Sequence, residues 1–297
     1  MAGPNGASIR QPAVAGMFYP SDSAQCRQQA EYCVRLPVAL QGQGIVRGAI
    51  VPHAGWVFSG AIAGQAIGAA ARSRPEAGVI VVFGAVHTPL PLSVAAFDTH
   101  DAWQEPGAMS AVSSELRGRL ASDARWFCVD DRFHQREHAV EVLLPMIQAA
   151  WPNAQVLPVE VPAIDNAMEI GRATAKAAVA AGLNPVYLAS SDLTHYGPNY
   201  RFAPAGIGPV GLAWAKENDR RLLAAVMAML PERIMPEVRA RQNACGPGAI
   251  AAMMAACMEH GAKLATVISH ANSFETGAAV GRQTPDNAVG YAAVVIH

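Results

Sequence analysis

One run, Val79-Ile80-Val81-Val82-Phe83-Gly84-Ala85-Val86, constrains this chain more than any other. It is almost continuously apolar, rich in β-branched residues and bounded by turn residues. Such a run offers no polar side to water, so it predicts a strand over Gly78 to Val86 that is covered on both faces. Further strands are expected at Gly48–Pro52, Gln155–Val161, Pro185–Ala189, Lys263–Ser269 and Val289–Ile296. Helical patterns fall between them. Ser21 or Asp22 caps a helix reaching about Arg35. Ser59 opens a small-residue helix to Ala71, whose Gly60, Gly64 and Gly68 would let a neighbouring backbone approach one face. Glu137–Ala150 has helical spacing with a kink at Pro145. Asp165 caps a helix to Ala181 that stops at Gly182. Leu212–Leu230 and Gly248–Glu259 complete the set. Alternating strands and helices predict an α/β sheet sandwiched by helices.

The 297 residues are 52% hydrophobic and only 15% charged, enough to bury a large core and far from the composition of a disordered chain. With no linker, low-complexity tract or repeat, one domain over 1–297 is expected, with 1–9 as a flexible N-terminal segment. The net charge is -1 and no Lys/Arg run exists to neutralise phosphates, which argues against a nucleic-acid partner. The start carries no signal-like apolar stretch and the longest apolar runs are too short for a bilayer, so a cytoplasmic protein without a membrane partner is expected. Five cysteines without CxxC spacing predict thiols rather than a disulfide framework.

Reactive side chains sit at the ends of several apolar runs. His53 follows Ala49-Ile-Val-Pro52, His87 follows the Val79 run, and His195 closes Val186-Tyr-Leu-Ala-Ser-Ser-Asp-Leu-Thr194. Groups projected from strand ends converge where open α/β sheets bind ligands. His53 alone would pass for a hydrogen-bonded turn histidine. His53 and His87 together, each beside small residues, point to a metal site. Cys245, in Asn243-Ala-Cys-Gly-Pro-Gly248, is placed at a helix N-terminus, where the dipole would lower its pKa and favour a thiolate ligand or nucleophile. Asp192 and His195, three apart, could work together in acid/base chemistry, orient a ligand, or in Asp192's case cap a helix. His138 and Glu141 share a helix face, with His138 able to line the same pocket and Glu137 readable as a solvated first-turn acid. Trp56, Phe58 and Tyr196 are expected to wall the pocket. No phosphate-cradling glycine motif is present.

Arg10…Ala-Gly-Met-Phe-Tyr-Pro20, Val-Pro-His-Ala-Gly-Trp-Val-Phe-Ser-Gly60, Gly84…His-Thr-Pro-Leu90, Glu137-His…Glu-Val-Leu-Leu-Pro145, Ser-Ser-Asp-Leu-Thr-His-Tyr-Gly197, Cys245-Gly246 and Val-Gly-Tyr291 together resemble the Memo family, whose microbial members are called AmmeMemoRadiSam system protein B. The resemblance runs in order over nearly the whole chain. It implies a single-domain, mixed β-sheet core covered by helices, similar to class III extradiol dioxygenases. It also implies metal ligation by His53, His87 and Cys245, with His195 as acid/base, Asp192 its neighbour and His138 lining the pocket. Cys245 stands where those dioxygenases have a carboxylate, which shifts metal preference toward copper or zinc, so metal binding transfers more readily than ring cleavage.

The expected function is therefore a non-heme iron oxidoreductase acting on a small, perhaps aromatic, substrate. The alternatives are an iron- or copper-binding redox protein without turnover, and a phosphopeptide or protein interaction module. The last ranks lowest because no Arg cluster is evident for phosphate.

Overall fold

The computed structural model describes residues 6–39, 44–277, 281 and 284–297. The first elements are β1 (Ile9–Arg10), α1 (Ser23–Val34), β2 (Gly48–Val51), α2 (Trp56–Ser73) and β3 (Val79–Ala85). A run of short pieces follows: β4 (Ala95–Phe97), β5 (Ala102–Glu105), β6 (Ala108–Ala111), α3 (Ser114–Ala121), β7 (Phe127–Val129) and α4 (Leu144–Ala150). Longer elements return with β8 (Gln155–Val161), α5 (Ala167–Ala180) and β9 (Val186–Ser190). After them come β10 (His195–Tyr196), α6 (Pro209–Met227), α7 (Ile234–Arg241), α8 (Pro247–Glu259), β11 (Ala265–Asn272), α9 (Ser273–Thr276) and β12 (Ala288–Ile296).

The main sheet is mixed and runs β10-β12-β2-β9-β3-β8-β4-β7, with β11 on β12. Its centre, β2-β9-β3-β8, is parallel throughout. β3 is buried at every position, as its unbroken apolar run requires. The crossovers β2–α2–β3 and β8–α5–β9 travel in opposite directions across the sheet. Right-handed crossovers then set them on opposite faces and open a crevice beyond the carboxyl ends of β2, β9 and β3. α2 packs on β2 and β12, while α8 packs on β2, β3 and β9 with α5 outside it. A small sheet, β1-β5-β6, stands apart from the large one.

Several local expectations shift under tertiary forces. Asp22 does cap α1, accepting the Gln25 N–H at 2.9 Å. α2 begins at Trp56 rather than Ser59, because the Trp56 ring is buried beside Tyr19 and its Nε1–H donates to Val142 O at 3.0 Å. Gly64 and Gly68 face the end of α1, where a Cβ would meet Cys33 and Val34 backbone at 2.4 and 2.0 Å. Only glycine permits that approach. Residues 137–143 form turns and a short 3-10 segment instead of a helix, so Pro145 begins α4 and does not kink one. A first-turn position needs no N–H, which suits proline. α5 starts after Asn166, leaving Asp165 to pair with Arg239. Within the N-terminal stretch expected to be flexible, residues 1–5 lie outside the described residues, whereas Ile9 pairs with Ala102 and the Ser8 N–H donates to Asp101. All five cysteines are unpaired. Among the described residues no helix is long and apolar enough to cross a membrane.

Candidate metal centre

Three adjacent parallel strands deliver the site. β2 ends at Val51 and Pro52 halts pairing, which turns His53 into the crevice. β3 delivers His87, and β9 ends on Ser190, in register with Val51. The connection before α4 adds Glu137 and His138. One ring nitrogen each from His53, His87 and His138 lies within 4.8 Å of the others, a group that could hold a metal ion. The rings of His53 and His87 are 5.2 Å apart, those of His53 and His138 also 5.2 Å, and those of His87 and His138 4.6 Å.

The hydrogen bonds assign the tautomers. The Ser190 hydroxyl donates its one proton to Ala139 O, so it must accept from His53 Nδ1 at 2.8 Å. His87 Nδ1 lies 2.9 Å and His138 Nδ1 3.2 Å from Glu137 Oε1. A carboxylate only accepts, so both rings present Nδ1–H to it. Oxygen partners of this kind fix the ring orientation of metal-binding histidines. Glu137 also accepts the backbone N–H groups of His87, His138 and Ala139 at 2.6, 2.8 and 3.0 Å. Burial alone would push its carboxyl up, but the bonds from His138 and His87 outweigh burial and hold it well below the usual range. His53, fully buried and flanked by His87 and His138, is held well below its ordinary pKa and stays neutral.

Cys245 approaches from the opposite side. Its Sγ lies 3.4 Å from His53 Nε2 and accepts the Asp192 N–H at 3.2 Å. The expected thiolate is not what the surroundings favour. Burial, then the Asp192 carboxyl, push this thiol far up, and Cys245 precedes the cap of α8 instead of sitting in its first turn. Asp192 caps no helix; its Oδ1 accepts the His53 N–H at 2.8 Å, and burial raises it to about 6. Burial lowers His195 to about 4, leaving it neutral at pH 7.

The three histidines open into a cavity of about 580 Å³ that His195 and Asp192 also line. Of the expected wall residues, Phe58 lines it. Trp56 lies behind α2's first turn with its N–H already spent on Val142, and Tyr196 is buried against Ala215 and Ala288 with its hydroxyl on Gly206 and Gly208 carbonyls. Phe18, Tyr200 and Tyr291 take the wall positions instead. Phe18 lies tilted 4.9 Å from His138, and Tyr200 meets His195 edge-on at 5.1 Å. Glu137 is not the solvated acid expected from its place beside His138, and Ser190 was passed over inside an apolar run. The hydroxyl pair Ser190-Ser191 closing a buried strand was the available signal. Glu141, expected beside His138 on a helix, is instead buried against Arg10 at 2.6 Å.

The family model for Memo-like proteins matches residues 10–295. The chain belongs to the Memo family. A MEMO1 family protein of Methanococcoides burtonii is 32% identical over 97% of this chain and all of its own length. One of Methanopyrus kandleri is 32% identical over 96% of this chain and 98% of its own. A solved, uncharacterized protein of Escherichia coli K12 aligns with 97% of this chain and 99% of its own at 12% identity and a TM-score of 0.45. Memo membership accounts for the N-terminal motif as well. In this Memo-family chain Glu141 gathers Arg10, the Ala13 and Val14 N–H groups and the Tyr19 hydroxyl, which fastens the segment carrying Phe18 against His138.

Proposed function

We propose that this protein is a metal-dependent oxidoreductase of small molecules, with non-heme iron, or else copper or zinc, held where His53, His87 and His138 converge. One observation carries the reading: three imidazoles with one ring nitrogen each within 4.8 Å of the others and Nδ1 beside an oxygen in every case. Cys245, 3.4 Å from His53 Nε2, is the competing third ligand, and a soft sulfur there favours copper or zinc over iron. Imidazole nitrogens and a displaceable thiol proton fit any of these ions. A bound ion would supply Lewis-acid or redox chemistry. The chain's own residues do the rest. His195, neutral at pH 7, accepts a proton from a substrate hydroxyl; Phe18, Phe58, Tyr200 and Tyr291 clasp an aromatic ring and exclude water.

A second reading, metal binding without turnover, is favoured by Cys245 alone. Anaerobic elemental analysis separates the outcomes. His53→Ala, His87→Ala and His138→Ala should each lose metal, by at least about 10-fold in affinity. Cys245→Ala should change which metal is retained. Parent-like metal content in all three histidine variants would refute the site. His195→Ala should keep metal and lose oxygen uptake with catechols; a metal-loaded parent that consumes no oxygen with them leaves the non-catalytic reading.

A further inference from the structure

A second concavity of about 330 Å³ lies between α1, the β5–β6 hairpin and α4. Its floor is made by Cys26 and Glu105, both essentially buried. Glu105 Oε1 accepts the Ser110 hydroxyl, but Oε2 is buried with no hydrogen-bond partner. An acceptor in that state costs free energy that an incoming N–H donor would recover. Its walls are largely apolar, from Pro106, Ala108, Pro145 and Ala149. At the rim stand exposed Arg27 and half-buried Glu31, the latter paired with Arg35 at 3.1 Å. Because Arg35 already pairs Glu31, Glu105 is the lining carboxyl left to meet a positive charge, and the pocket's size suits a ligand of a few carbons.

We propose that this pocket binds a small organic ammonium, its N–H groups on Glu105 and its alkyl body against the prolines and alanines. The site is independent of the metal reading, since it shares no lining residue with the histidine cavity. Burial raises Glu105 to about 7, so its charge appears across neutral pH. Cys26, raised by burial and by Glu105 to about 12, stays a thiol over that range. From α1 Arg27 and the Glu31–Arg35 pair add charge at the lining; Tyr19, raised by burial, stays neutral, α4 contributes neutral Gln148 and the hairpin neutral Ser110. Binding therefore strengthens from pH 6 to pH 8.

The probe is n-butylammonium, followed by calorimetry and by the NMR shift of the Glu105 carboxyl carbon, with n-butanol and butyrate as controls. Saturable binding is expected, weaker by at least about 10-fold in Glu105→Gln with metal content unchanged. Arg27→Gln, at an exposed position that cannot threaten the fold, should tighten binding by about 2- to 5-fold by removing a like charge. Equal binding by Glu105→Gln or by n-butanol, or no saturation by about 50 mM, would overturn the proposal.

Discussion

Glu137 and Glu160 are both buried carboxyls close to the crevice, and their surroundings give them opposite fates. Glu137 faces two imidazole Nδ1 atoms and three backbone N–H groups and is held ionised. Glu160, on β8 behind it, has no hydrogen-bond partner for either oxygen among the described residues. Burial and the charge of Glu137 push it well above the usual range, so it is a neutral acid. Its neighbour His134 sits with Nδ1 3.7 Å away and spends Nε2–H on Ala96 O. Depth in the protein therefore does not decide whether an acid is charged; the donors around it do.

Three changes would break or sharpen this contrast. The largest effect belongs to Glu137→Ala, which strands three backbone donors and frees two imidazoles. It should cost about 3–5 kcal/mol in denaturant unfolding and weaken metal binding by about 10- to 100-fold. Full metal affinity in that variant would mean the orientation argument is wrong. Next comes acid. His195 has its folded pKa depressed to about 4, so its contribution to stability is present above its unfolded value near 6.5 and is lost as pH falls toward 4. The loss is roughly 2–3 kcal/mol, and His195→Ala should flatten the stability profile between those two pH values. The smallest belongs to Glu160→Gln, a neutral acid exchanged for a neutral amide, which should move unfolding free energy by less than about 1 kcal/mol. Because Glu160 is raised, its stabilising share is present below about 4.5 and fades as pH climbs, and the variant should lose that slope. A loss of several kcal/mol would show that Glu160 is charged after all, and the contrast with Glu137 would fall.

Much of this was legible in the order of residues. The unbroken Val79 run could only be a doubly covered strand, and His53, His87 and Asp192 follow the ends of strands whose parallel pairing makes them neighbours. Periodicity held over 144–150, which is α4, and failed over 137–143, where an apolar helical spacing serves turns because Glu137 and Glu141 each draw backbone and side-chain donors away from a regular helix. It failed again at Trp56 and Tyr196, aromatic residues beside chemical motifs whose polar ends are satisfied inside the core.

Local sequence, then, set the elements and placed imidazoles at strand ends, because side-chain pattern and chain stiffness act over a few residues. The charge states, the tautomers and the company each histidine keeps were decided largely by contacts between segments distant in the chain, such as His53 with Ser190 and His87 with Glu137. Those depend on desolvation and on donors that only the closed fold brings within reach. The same chemistry that a reader expects of Cys245 beside a helix becomes, once the chain is packed, a protonated thiol 3.4 Å from His53 Nε2.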